Sequence, residues 1–147
     1  FGDADGRWLA EACTLAERCP PSRSAFSVGC VVVADDGTVL ATGHSRRDDV
    51  LDHAEEVAVR DLDTRDPRVA SATAYTSLEP CGQRASRPVT CVEHLIAAGI
   101  PRVVMAWREP PTFVGAPSGA ARLVEAGVAV VERPELADLA RRPNRHR

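Results

Sequence analysis

The sequence predicts a single α/β domain built on a five-stranded mixed sheet that opens with a hairpin and carries helices on both faces. Three observations lead there. The β-rich run Val28 to Ala34 is separated from a second one, Thr38 to Thr42, by the tight-turn pair Asp36-Gly37, which predicts a hairpin. Leu95-Ile96-Ala97-Ala98-Gly99-Ile100 and Leu123-Val124-Glu125-Ala126-Gly127-Val128 then repeat one pattern of helix end, glycine and strand start. Two such helix-to-strand units in series imply parallel strands joined by right-handed crossovers. Finally, no linker or low-complexity stretch divides the 147 residues, and that length is enough for one real core.

The elements follow in order. Asp5 is placed to cap a helix from about Gly6 to Arg18, with Trp8, Ala12, Leu15 and Cys19 on one face, and Pro20-Pro21 ends it. After the hairpin, residues 43–52 are polar and loop-like, and His53 opens a helix reaching about Leu62. Ala72 to Ser77 is the third strand, and the loop carrying Cys81 follows it. A helix from Cys91 to Ala98 stops at Gly99 and leads to a buried strand, Arg102 to Trp107. The last pair is a helix over Ala120–Ala126, stopped by Gly127, and a strand over Val128–Glu132. Residues 1–140 form the expected domain, and 141–147 a basic, disordered tail.

Composition narrows the function. The chain is 44% hydrophobic and 27% charged, as an ordinary globular protein is. It has no run of about 18 apolar residues, so no membrane span is expected. All 18 basic residues are arginines, which excludes Schiff-base catalysis and a phosphate-loop lysine. Four of them lie in 141–147, leaving 14 arginines against 21 acids in the body. So acidic a body, with six aromatic residues in the whole chain, is a poor platform for a polynucleotide. There are five cysteines, an odd number, in a chain too large to need disulfide staples. Together with the lack of a secretory leader pattern, this points to a cytoplasmic protein whose cysteines have core or metal roles. Cys13 and Cys30 read as core residues, and Cys19 as a helix-end residue.

The chemistry concentrates in His53-Ala54-Glu55, Glu79-Pro80-Cys81 and Cys91. Singly these mean little, since a helix-opening histidine is usually a cap and a lone cysteine usually a small hydrophobe. Together they offer a zinc ion one imidazole and two thiolates, and three protein ligands leave a fourth position for water, the mark of a catalytic site. A structural zinc would need a fourth protein ligand, for which His94 and His44 are the candidates. Cys91 opens its helix, where the N-terminus favours a thiolate. Glu55, two residues past the histidine, is placed to move protons without binding the metal.

His-x-Glu followed by Pro-Cys resembles the signature of zinc nucleobase deaminases, with nine residues rather than two between Cys81 and Cys91. The sequence is similar to the cytidine/deoxycytidylate deaminase superfamily. Within it the sequence looks most like the deaminase domain of the riboflavin-biosynthesis deaminase/reductase, whose cysteines are also separated by a long proline-containing loop. The likeness covers about residues 7–132 and includes Val28-Gly29-Cys30-Val31-Val32 and Leu95 to Val104. It implies a cytidine-deaminase-like three-layer sandwich, a zinc cofactor held by His53, Cys81 and Cys91, and Glu55 as proton shuttle. It also implies a homodimer, to which the apolar tip of Pro110-Pro111-Thr112-Phe113-Val114 would contribute. Substrate contacts are expected from Arg87 and Arg84 on the inter-cysteine loop and from Ser45, His44 and Ala25. Ala25, Ser45 and Gln83 stand where that branch carries asparagine, histidine and histidine.

The expected function is therefore zinc-dependent hydrolytic deamination of a small amino-bearing pyrimidine or related nucleobase, nucleoside or nucleotide, of which the riboflavin-pathway pyrimidine is one choice. The replacements at Ala25 and Ser45 predict weaker turnover of that intermediate. The alternatives are a cytidine, dCMP or guanine-type deaminase of a specialised pathway and, in another class, a catalytically silent zinc-binding interaction module. Neither a polynucleotide nor a membrane is an expected partner.

Overall fold

A computed structural model describes residues 3–23, 25–82, 87–108 and 118–145. The elements are α1 (Ala4–Ala16), β1 (Gly29–Val33), β2 (Val39–His44), α2 (Ala54–Asp61), β3 (Thr73–Leu78), α3 (Cys91–Ala98), β4 (Arg102–Trp107), α4 (Gly119–Glu125), β5 (Ala129–Glu132) and α5 (Ala137–Arg141). The five strands form one mixed sheet in the order β2-β1-β3-β4-β5. β1 runs antiparallel to both β2 and β3, whereas β3, β4 and β5 run parallel. The hairpin and both parallel crossovers are therefore as expected.

Side-chain alternation along the strands sorts the core into two layers. Cys30 and Val32 of β1, Ala74 and Leu78 of β3 and Val103 of β4 face α2, α3 and α4, meeting Ala54, Ala58, Val92, Leu95 and Leu123. Val31, Val33, Tyr75 and Val104 face the other way, onto Leu9, Ala12 and Cys13 of α1 and Ala140 of α5. Cys13 and Cys30 are core residues, and burial pushes both thiols up, Cys13 to about 11. Thr76 shares the parity of Ala74 and Leu78, so it looks toward α2. Gly43 lets α2 lie against β2: a Cβ there would sit 2.4 Å from the Ala54 carbonyl and 2.6 Å from the Ala58 nitrogen.

Three expectations are corrected. The cap of α1 is Asp3, whose Oδ1 accepts the Gly6 N–H at 2.9 Å. Asp5 instead lies in the first turn and reaches across to the Tyr75 hydroxyl at 2.7 Å and the Arg102 guanidinium at 2.6 Å. The buried face of α1 is Leu9, Ala12, Cys13 and Ala16, so the expected stripe of Trp8, Ala12, Leu15 and Cys19 is rotated, with only Ala12 at its centre. The chain also does not become a disordered tail at Arg141. α5 runs on into a 3-10 turn, Arg142–Asn144, and Asn144 is buried. Its amide accepts the Ser27 N–H at 2.6 Å and donates to the Ser27 and Ala140 carbonyls at 3.0 and 3.2 Å. Arginine density suggested solvation, yet one amide that satisfies a buried backbone holds the segment in place.

Candidate metal centre and active site

The centre is assembled at the ends of three elements on the α2 side of the sheet. His53 is the N-cap residue of α2, with its N–H donated to the Glu56 carboxylate at 3.0 Å. Cys81 lies three residues past the end of β3. The intervening Pro80 is pinned by α4, because a Cβ on Gly119 would fall 1.7 Å from the Pro80 carbonyl oxygen. Cys91 is the first residue of α3, behind the cap Thr90, whose hydroxyl accepts the Glu93 N–H at 3.2 Å.

These placements bring His53, Cys81 and Cys91 together, with donor atoms all within 4.8 Å of one another. His53 Nδ1 is 3.2 Å from the Cys91 sulfur and 3.6 Å from the Cys81 sulfur. A tetrahedral zinc site, with bonds of about 2.3 Å to sulfur and about 2.0 Å to nitrogen, requires N···S separations near 3.5 Å. The donor set and its spacing thus fit zinc. The Cys91 N–H points at the Cys81 sulfur from 3.3 Å. Hydrogen bonding from Cys91, opposed by burial and reinforced by His53, brings the Cys81 thiol down to about 4, favouring the thiolate a metal needs. Neither alternative fourth ligand belongs to this donor group among the described residues. His94 Nε2 is 3.5 Å from Glu56, and His44 Nδ1 is 3.1 Å from the Ser45 carbonyl.

Glu55 is 3% exposed, beside this cluster. Its Oε2 accepts the Thr76 hydroxyl at 2.9 Å, and that hydroxyl also approaches the Leu78 carbonyl at 3.0 Å. Burial pushes the carboxyl up, and the negative charge of Cys81 adds to the effect. An upward shift makes the carboxyl a better proton acceptor than an exposed glutamate, which suits acid–base work. Glu79, missed as a site residue although it stands in the Glu-Pro-Cys run, is buried, and its Oε2 accepts the Ala120 N–H at 2.8 Å.

A cavity of about 290 Å³ opens onto His53, Glu55 and Cys81. Ala25 and Ser45 are among its lining residues, together with apolar Phe26, Val28 and Leu78. Ser45 does not offer its hydroxyl freely: Oγ accepts the Val28 N–H at 2.9 Å. His44 lies outside the lining. Arg87 also lies outside it and is engaged by three carboxylates, Asp52 and Glu56 at 3.1 Å and Asp49 at 3.2 Å. It braces the inter-cysteine loop against α2. Asp52, buried and adjacent to His53, is the hub of that brace, accepting also from Arg60 at 2.7 Å. The sequence carries no periodic signal for such a loop cluster. Arg84 and Gln83 lie outside the described residues, as does the Pro110–Val114 segment.

Residues 3–107 match the family described as the cytidine and deoxycytidylate deaminase zinc-binding region. The chain belongs to this family. Among curated relatives it is 34% identical over 128 residues to the diaminohydroxyphosphoribosylamino-pyrimidine deaminase of Schizosaccharomyces pombe, covering 86% of this chain and 31% of that protein. It is 37% identical over 128 residues to riboflavin biosynthesis protein RibD of Escherichia coli, covering 86% and 33%. The chain thus spans about a third of the length of these relatives. The RibD structure from Acinetobacter baumannii superposes with a TM-score of 0.81 at 34% identity, over 96% of this chain and 38% of that one. The family and its riboflavin-pathway branch are those that the zinc motifs and the long inter-cysteine loop led us to expect.

Proposed function

We propose that the chain is a zinc-dependent hydrolase that removes an exocyclic amino group from a small pyrimidine of the riboflavin-pathway type. The observation carrying the reading is the buried Glu55 carboxyl set between a zinc-fitting His53-Cys81-Cys91 cluster and the cavity. Bound zinc supplies Lewis acidity that makes water an adequate nucleophile near neutral pH. His53, Cys81 and Cys91 would hold it. Glu55 takes a proton from the attacking water and delivers it to the ring nitrogen next to the reacting carbon. It then passes the second proton to the departing amine, so a C–O bond forms, the C–N bond breaks and ammonia leaves. Thr76 orients the carboxyl for these transfers, and the apolar wall of Phe26, Val28 and Leu78 excludes water from the ring face. A silent zinc module would not require a buried carboxyl in that position.

The relatives' names support the riboflavin-type pyrimidine, and the small residues Ala25 and Ser45 would leave the ring fewer polar contacts. Ammonia release is the test, across the riboflavin diaminopyrimidine intermediate, cytidine, dCMP and guanine. Turnover of the diaminopyrimidine above the others supports the reading, and release from none of them overturns it. We also infer a cytoplasmic homodimer. The family resemblance supports the dimer, and the five free cysteines support a reducing compartment. A light-scattering mass of one chain at micromolar concentration would rule the dimer out. No helix among the described residues is long and apolar enough to cross a membrane.

A further inference from the structure

We propose that Arg46, itself among the residues lining the cavity, is a positioning residue: its guanidinium fixes the segment Ala25–Val28 as a wall and so sets substrate affinity without touching the reacting atoms. The proposal rests on reading the cavity as the deaminase pocket. Among the described residues Arg46 is the one non-glycine with a positive φ, 58°, a conformation that Cβ-bearing residues avoid. It is also only 8% exposed, although arginine is rarely buried unless its charge is matched by partners.

What holds it there is a fan of hydrogen bonds. Nε and Nη2 donate to the Pro20 carbonyl at 3.1 and 2.7 Å. Nη1 donates to the Phe26 carbonyl at 3.0 Å, and Nη2 to the Ser27 hydroxyl at 2.7 Å. Its backbone N–H donates to the Asp52 carbonyl at 2.9 Å, one residue before His53. The side chain thus ties the turn after α1 to the cavity wall, while the backbone of the same residue holds the approach to the metal cluster. The wall lies before β1 and belongs to no helix or strand, so side chains must fix it. Asn144 grips the Ser27 backbone, and Ser45 accepts the Val28 N–H. Lysine could not replace the fork, since one ammonium cannot span acceptors on three residues in this planar arrangement.

The test uses R46G, R46A and R46K in the full chain. Glycine relieves the left-handed backbone while removing the guanidinium, whereas alanine removes the guanidinium and keeps the strain. R46G should therefore melt higher than R46A, and both should raise KM about 10-fold, less than the roughly 100-fold that a 1 Å misplacement at the reacting centre can cost. Their kcat should move less than about 3-fold, the pattern of lost binding rather than lost chemistry. Zinc content should stay at wild-type level, and added methylguanidinium should lower the KM of R46G. The amides of Ser27 and Val28 should exchange faster with deuterium in both variants. Unchanged exchange at these two amides in R46G, or a loss confined to kcat, would overturn the proposal. Should R46G fail to fold, R46K is judged by the same exchange measurement. If the chain deaminates nothing in the substrate panel, the functional reading fails, while the exchange result still decides the role of Arg46.

Discussion

At the scale of single residues, the proposed chemistry depends on separating two acids that are adjacent in sequence. Glu55 turns toward Thr76 and the cavity, while Glu56 turns toward the His53 N–H, Arg87 and His94. Glu55→Gln keeps the shape and removes the base. It should lower kcat by about 10³–10⁴-fold, the upper part of the range for a general acid–base group because this one serves several transfers. Metal analysis should find its zinc undiminished. Glu56→Gln should instead loosen zinc against a chelator and leave most of kcat, since it weakens the brace on His53 and Arg87. A larger kcat loss in Glu56→Gln than in Glu55→Gln would reverse the two assignments. The proposed ligand cluster and the proposed role of Glu55 could be read from the sequence because a metal and proton transfers would demand particular residue types at fixed places on element ends. Arg87 was legible only as a basic residue near the proposed metal site. Its three carboxylate partners come from residues 49, 52 and 56, a loop and a helix start whose folding together no local pattern reveals.

Among the secondary-structure elements, the hairpin and the two helix-to-strand units were readable because period-2 and period-3.6 patterns and turn glycines are local signals. The start of α1 was misplaced because Asp3 and Asp5 are equally good caps in isolation. The choice is made by Arg102, on a strand that follows 97 residues later and draws Asp5 away. α5 was missed because five residues between two proline-initiated 3-10 turns carry no measurable periodicity. The packing of α2 on β2 carries a sharp expectation. In Gly43→Ala the new methyl meets the α2 backbone itself, which cannot rotate away as a side chain could. Overpacking should destabilise the fold by about 1–3 kcal/mol and shift His53 with α2, so zinc should also bind more weakly. Denaturant melts and chelator competition on this variant would measure both. Unchanged stability with unchanged zinc affinity would mean that α2 is not seated as described.

For the molecule as a whole, polar ties close the layers around the sheet. Asn144 joins the C-terminal turn to the cavity wall. Asp5 joins α1 to β3 and β4 through Tyr75 and Arg102. The Arg102 guanidinium holds the Asp5 carboxyl below its ordinary value, with the Tyr75 hydroxyl assisting against the effect of burial. A folded value below the unfolded one of about 3.9 means that the stabilisation is complete above that pH and is lost as pH falls through the folded value. Asp5→Asn should therefore cost about 1 kcal/mol at pH 7, discounted for partial exposure. Its denaturant midpoint should converge with that of the wild type as the solution is acidified below the carboxylate range. A gap that persists undiminished at low pH would assign the tie to packing instead. The central claim, that this fold exists to hold zinc against a pyrimidine amine, is tested most directly by ammonia release from the riboflavin-type diaminopyrimidine before and after zinc is stripped and restored. One zinc per chain is expected, with turnover lost on stripping and recovered with zinc, and no zinc retained when Cys81 and Cys91 are both alanine. Full turnover by the stripped protein, or a full zinc complement in the double alanine variant, would contradict it.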